Sequence, residues 1–139
     1  MILVDSSALL AALVPAEGEH DEVRAFIENE PGPFVLSPVV LCEIDYLLLR
    51  RHGAVAEAAF LAEVAAGAYD LPTFGQADVG AALTVIRRYR DLELGLSDAS
   101  IVVLAGRCGT NRVLTLDERH FRALRTPSGE PFVILPADA

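Results

Sequence analysis

Asp5 directly follows Ile2-Leu3-Val4, and Asp117 directly follows Val113-Leu114-Thr115-Leu116. A short, mainly apolar run reads as a buried strand, so both acids belong at strand ends with a helix to follow. For either residue alone the simplest account is an N-cap, because aspartate caps well and the helix dipole favours an anion there. Asp98 is harder to explain that way. Its helical neighbours Ile101, Val102 and Ala105 are apolar, and Ser97 is available as the cap. A dipole-stabilised anion remains the competing account. Glu43 and Asp45 lie in the apolar stretch Val39-Val40-Leu41-Cys42-Glu43-Ile44-Asp45-Tyr46-Leu47. A carboxylate on such a face is costly unless it is paired or bound to a metal. Periodicity does not choose between these two.

Acids converging on one sheet edge need a positive partner. The chain has no lysine, and Arg119 is the one arginine near them in sequence. A divalent hard cation, Mg²⁺ or Mn²⁺, is the natural partner for oxygen ligands. A zinc site is not supported, because Cys42, Cys108, His20, His52 and His120 show no ligand spacing. His120 precedes Phe121 on a short amphipathic segment and reads as exposed surface. No glycine-rich dinucleotide or phosphate loop is present, and no nucleophile elbow. A phosphoaccepting receiver domain and a haloacid-dehalogenase-type phosphatase both need a lysine. The latter also needs an aspartate two residues after its nucleophile, where Ser7 stands. A metal-dependent nuclease remains.

The elements that position these acids alternate. Strands are expected at 2–4, 34–36, 69–72, 113–116 and 132–135. Helices are expected at about 6–14, 20–29, 38–51, 55–66, 76–89 and 97–107, with a short one carrying Phe121 and Leu124. Ser37 followed by Pro38 is a strong helix start. Strands that are apolar throughout are buried on both faces, which implies a parallel sheet between helix layers. The expected fold is α/β, a three-layer sandwich around a parallel five-stranded sheet, formed by one domain over residues 1–139. Ligands of such sheets sit beyond the C-terminal strand ends, where Asp5 and Asp117 fall.

Composition bounds the function. Of 139 residues 53% are hydrophobic, enough for a sizeable core, and no apolar run approaches the roughly 18 residues of a membrane span. No signal peptide is evident, and two thiols in apolar surroundings suggest buried packing in a reducing, cytoplasmic setting. The formal net charge is −9, against the sign expected of a protein held to nucleic acid by bulk attraction. Contact with nucleic acid must then rest on local basic patches or bound cations. All eleven basic residues are arginines.

The run Ile2-Leu3-Val4-Asp5-Ser6-Ser7-Ala8-Leu9-Leu10-Ala11, Glu43 in an apolar helix, Leu96-Ser97-Asp98-Ala99 with Ala105, and Val113-Leu114-Thr115-Leu116-Asp117 with Phe121 resemble the PIN-domain ribonucleases. Within them the chain resembles the VapC toxins of type II toxin–antitoxin pairs, over nearly its whole length. The resemblance implies that Asp5, Glu43, Asp98 and Asp117 are the catalytic acids, choosing Glu43 over Asp45. It implies that Asp5, Asp98 and Asp117 hold Mg²⁺ or Mn²⁺, and that Ser7 and Thr115 support the carboxylates or metal-bound water. Ser6 stands where the family more often has threonine.

By the same resemblance the activity is endoribonucleolytic, on tRNA or a ribosomal RNA loop, with a 5′-phosphate and a 3′-hydroxyl as products. A VapB-like antitoxin and a homodimer are the implied protein partners. The small and apolar stretch from Tyr46 through Ala54 to Ala66 mostly serves the core, with a surplus left for the antitoxin or a second subunit. RNA-binding candidates are Arg50-Arg51, Arg87-Arg88-Arg90, Arg107 with Arg112, and Arg119-Arg122-Arg125, of which Arg51, Arg88 and Arg119 are the leading phosphate contacts. A solvated helix face is the alternative for each. Two other readings are a PIN-like module that binds RNA or a partner without cutting, against which an intact acidic quartet counts, and a housekeeping RNA-processing nuclease.

Overall fold

Strand β1 (Ile2–Val4) is buried at every residue, and the chain leaves it at Asp5 to enter α1 (Ser6–Leu13). A computed structural model describes residues 1–139. It continues through α2 (His20–Asn29), β2 (Phe34–Val35), α3 (Pro38–His52), α4 (Ala54–Ala65) and α5 (Gln76–Arg88). A 3₁₀ turn (Arg90–Leu92) then leads to α6 (Leu96–Cys108), β3 (Arg112–Leu114), α7 (Glu118–Ala123) and β4 (Val133–Leu135). The strands form one parallel sheet in the order β2-β1-β3-β4, with Leu3 opposite Val35 and Val113, and Val113 opposite Ile134. Helices flank it: α6 packs on β1, α3 and α5, while α1 packs on α2 and α3.

The sheet has four strands, not the five expected. Residues 69–72 contribute one isolated bridge, in which Asp70 N–H donates to Phe34 O (2.9 Å) and Leu36 N–H to Asp70 O (2.8 Å). Pro72 has no N–H to extend that pairing, and Leu71 is 48% exposed, so the segment leaves the edge after a single residue.

The strand expected at 113–116 also ends early, at Leu114, because hydroxyls replace strand carbonyls as hydrogen-bond acceptors. Leu116 N–H donates to Ser7 Oγ (3.0 Å) and Asp117 N–H to Thr115 Oγ1 (2.9 Å). This departure turns Asp117 out at the sheet edge.

Ser37 caps α3 through Val39 N–H (3.1 Å) and meets Ser100 of α6 at 2.7 Å in the interior. On α3 the buried stripe is Val40, Ile44 and Leu48. Glu43 and Asp45 lie about 100° to either side of Ile44, on opposite flanks of that stripe. Cys42 lies on the outward face with Tyr46 and Leu49. It is exposed, and Cys108 is half-buried, contrary to the expectation that both are core thiols. Helix α3 is apolar on nearly every side, so its composition does not reveal which face points outward. No helix is long and apolar enough to cross a membrane.

Candidate active site

The ends of β1 and β3, the N-terminal turns of α1, α6 and α7, and one flank of α3 enclose a polar cleft of about 200 Å³. Asp5, Glu43, Asp98 and Asp117 all line it, and so does His120. The sequence therefore folds to bring its four candidate acids together.

Asp5 is the deepest, at 4% exposure, and makes no side-chain cap bond to α1. Its Oδ2 accepts from Ser7 Oγ and from Thr115 Oγ1, both at 2.7 Å. The two hydroxyls are themselves acceptors of backbone N–H groups of Leu116 and Asp117, so their protons are directed at Asp5. The carboxylate is thus held in one orientation from both flanking elements. Burial raises its pKa, and the two hydroxyl bonds oppose that rise without cancelling it.

Glu43 reaches across from α3 and accepts a hydrogen bond from Ser6 Oγ. Asp45, on the opposite flank, has a buried Oδ1 without a hydrogen-bond partner, and hydrogen bonding with Asp45 raises the pKa of Glu57 on α4. Geometry thus separates the two acids that periodicity left open.

Asp98, in the first turn of α6, is pushed up to about 6, first by burial and then by the charge of Asp5, with His120 pulling the other way. Asp117 does serve as an N-cap, accepting His120 N–H at 3.1 Å, and its second oxygen still faces the cleft side chains. His120 is the residue sequence reasoning missed. Its Nδ1 lies 2.9 Å from Asp98 Oδ2 and 3.0 Å from Asp117 Oδ2, and the ring is half-buried, not exposed surface. The i,i+3 spacing from Asp117 was a local signal for it. Its second partner, 22 residues away, was not legible locally.

A divalent ion fits this donor set. One ligand atom each from Asp98, Asp117 and His120 lies within 4.8 Å of the others. Asp5, behind them, adds charge to the cleft. The arrangement is suited to polarising water beside a phosphodiester, and nothing in it resembles an activated serine or cysteine nucleophile.

No arginine lines the cleft. Arg24, Arg107, Arg112 and Arg122 are held in ion pairs with Glu28, Asp78, Glu30 and Asp138, respectively. Arg51, Arg88 and Arg119 are exposed and form no ion pair, leaving their guanidinium groups uncommitted to protein carboxylates.

Residues 2–126 match the PIN domain family. The chain is 42% identical over 135 residues to Ribonuclease VapC26 of Mycobacterium tuberculosis, covering 97% of this chain and all of that protein. The crystal structure of the Mycobacterium tuberculosis toxin VapC20, described as cleaving the sarcin–ricin loop, superposes with a TM-score of 0.79 at 22% identity, over 84% of this chain and 90% of that one. A toxin–antitoxin complex from Klebsiella pneumoniae superposes at 0.66 and 18% identity, over 89% and 92%. With an acidic cleft at the C-terminal edge of a parallel sheet and this likeness along its length, the chain belongs to the PIN-domain family, among the VapC ribonucleases.

Proposed function

We propose that this PIN domain is a metal-dependent endoribonuclease toxin that cuts structured RNA, tRNA or a ribosomal RNA loop, and is restrained by a VapB-like antitoxin. The observation that carries the reading is the convergence of Asp5, Glu43, Asp98, Asp117 and His120 on one cleft. Asp5, Asp98 and Asp117 would hold Mg²⁺ or Mn²⁺, with His120 as a further donor beside Asp98 and Asp117. When bound, the ion lowers the pKa of water and neutralises phosphodiester charge. Ser7 and Thr115 fix Asp5. Ser6 hydrogen-bonds one oxygen of Glu43, and the other would accept a proton from an attacking water. Arg51, Arg88 and Arg119 are the proposed phosphate contacts outside the cleft.

The antitoxin reading is supported by the exposed side of α3 and α4. Tyr46 is 59% exposed, Leu49 44% and Val55 86%, and Phe60 is the one buried residue of α4. A helix this apolar with one buried side chain has a face left to cover. A second apolar row, Val79 and Leu83 on α5, is the proposed surface for a homodimer. A cytoplasmic location accompanies this reading, since its substrates are there.

The test is incubation with purified tRNA and ribosomal RNA plus Mn²⁺, followed by mapping of new 5′ ends. The wild type cuts at discrete sites, Asp98→Asn and Glu43→Gln do not, and Asp45→Ala still does. Binding without new ends would favour the non-cleaving module. Equal loss in Asp45→Ala and Glu43→Gln would show that the wrong acid has been assigned.

A further inference from the structure

A second, larger cavity of about 620 Å³ lies between α5, α6 and the segment following α7. Arg88, Arg107 and Arg125 line it together with Tyr89, and Val102 and Val103 contribute apolar wall. Its size is that of a small-ligand site. Three guanidiniums at one place are unexpected in a chain of net charge −9.

The one carboxylate in the lining, Asp78, is already used. It accepts from Gly75 N–H at 2.9 Å and pairs with Arg107 at 3.2 Å. Arg88 and Arg125 have no carboxylate partner. Both are nevertheless oriented. The Arg88 guanidinium lies over the Tyr89 ring, 5.6 Å from its centre, and Arg125 Nη1 donates to the carbonyls of Leu124 (3.1 Å) and Arg122 (3.3 Å). The remaining N–H groups of each are available.

The wall opposite is closely fitted. A Cβ at Gly106 would stand 2.8 Å from Pro127 Cγ, so the Thr126–Pro127 segment rests on bare α6 backbone. Thr126 is buried and tied to Glu130 N–H (3.1 Å), which fixes that segment. The cavity and the acid cleft share helix α6. Val102 follows Asp98 by one turn of α6, a rise of about 6 Å. Tyr89 is joined to Gly95, at the acid cleft, by the 3₁₀ turn.

We propose that this cavity binds the RNA backbone flanking the bond to be cut, with Arg88 and Arg125 on phosphate oxygens and a base stacked on the Arg88–Tyr89 pair. The assignment rests on the ribonuclease reading above and extends it to a second subsite. RNA is favoured over an acidic protein segment because the cavity is built on α6, the helix that carries Asp98, and pairs guanidiniums with an aromatic ring, the combination that takes both phosphate and base.

The test measures Kd and its salt dependence by fluorescence anisotropy in EDTA, with a labelled sarcin–ricin-loop hairpin and with bulk tRNA as probes. Arg88→Gln with Arg125→Gln is expected to bind at least fivefold more weakly. Its log–log salt slope should flatten by about 0.7 for each phosphate that is no longer neutralised. Arg88→Gln alone should give part of that effect, and Arg24→Gln, paired with Glu28 on α2, none. Melting curves check that the variants fold. If the wild type cuts these RNAs in Mn²⁺ while the double variant keeps wild-type Kd and slope, the subsite is overturned and the ribonuclease reading stands. If the double variant keeps RNA binding but loses its antitoxin, the cavity takes a protein segment and the proposal is equally overturned. If the wild type neither binds nor cuts either RNA, both readings fall.

Discussion

The Nδ1 of His120 stands 2.9 Å from Oδ2 of Asp98, joining the start of α7 to the start of α6 across the acid cleft. The same nitrogen lies 3.0 Å from Oδ2 of Asp117, so one imidazole stands between two carboxylates from different elements. In the metal-free protein it is the one basic side chain among the acids that line the cleft. His120→Ala therefore removes both a hydrogen bond and a source of charge relief. The expected cost is about 1 kcal/mol, seen as a melting point in EDTA about 3 °C lower. Calorimetric titration should also show weaker Mn²⁺ binding, since a ligand atom is gone. A variant that keeps the wild-type Mn²⁺ affinity would place His120 outside the metal's coordination sphere.

Asp98 makes the metal-free protein pH-sensitive in a definite direction. Its folded pKa is raised from the ordinary 3.8 to about 6, by burial first and by the charge of Asp5 second. Between those values the folded state holds a proton that the unfolded chain has released, so stability falls as pH rises through this window. The contribution is favourable below it and absent as a pH dependence above it. Asp98→Asn should flatten the curve of melting point against pH between about 4 and 6 and raise the melting point at pH 7. The check is a series of thermal melts in EDTA across that range. A wild-type melting point that rises from pH 4 to 6 as steeply as that of Asp98→Asn, or more steeply, contradicts the assignment.

Much of this cleft was legible because strand ends are legible. Asp5 and Asp117 terminate apolar runs, and Asp98 heads an apolar helical face with a separate cap at hand. Glu43 and Asp45 were not separable, because each is about 100° from the buried residue Ile44 and the choice depends on which neighbour packs on which flank. Glu43 meets Ser6 of α1, and Asp45 faces α4. His120 reads as exposed surface in the sequence because its role is made by two elements that the sequence holds apart. The fifth strand failed on a single residue: Pro72 cannot donate the N–H that would continue the ladder. Cys42 shows the same limit on α3, where an almost uniformly apolar helix hides its outward face.

Thr115 is predicted to matter through Asp5. Its hydroxyl accepts Asp117 N–H at 2.9 Å and donates to Asp5 Oδ2 at 2.7 Å. Thr115→Val keeps the volume, leaves the N–H of Asp117 unpaired and takes one of the two hydroxyl donors from a buried carboxylate. A loss of about 1–3 kcal/mol is expected, together with a pKa for Asp5 raised still further. RNA cleavage should fall and need higher pH. Thr115→Ser restores both hydrogen bonds and should recover most of the cleavage rate. If Thr115→Ser is as impaired as Thr115→Val, the methyl group and not the hydroxyl is what Asp5 requires.

The crowding of the acids connects stability to the metal. Asp5 and Asp98 each have a raised pKa, and the charge of Asp5 is among the causes for Asp98, so without a cation the cleft holds repulsion between the two. A divalent cation binds the folded cleft and has little affinity for the unfolded chain, so it stabilises by mass action. At a hundredfold excess over Kd the gain is about 2.7 kcal/mol. For a domain of this size that corresponds to a melting point about 8 °C higher in millimolar Mn²⁺ than in EDTA. Asp5→Asn combined with Asp98→Asn removes both the repulsion and part of the donor set. That variant should melt above the wild type in EDTA and gain nothing from Mn²⁺. The two effects have opposite signs in one protein, which distinguishes them from a general loss of packing. A wild-type melting curve indifferent to both chelator and Mn²⁺ would remove the metal from the mechanism, leaving the acid cleft without the cation its charge requires.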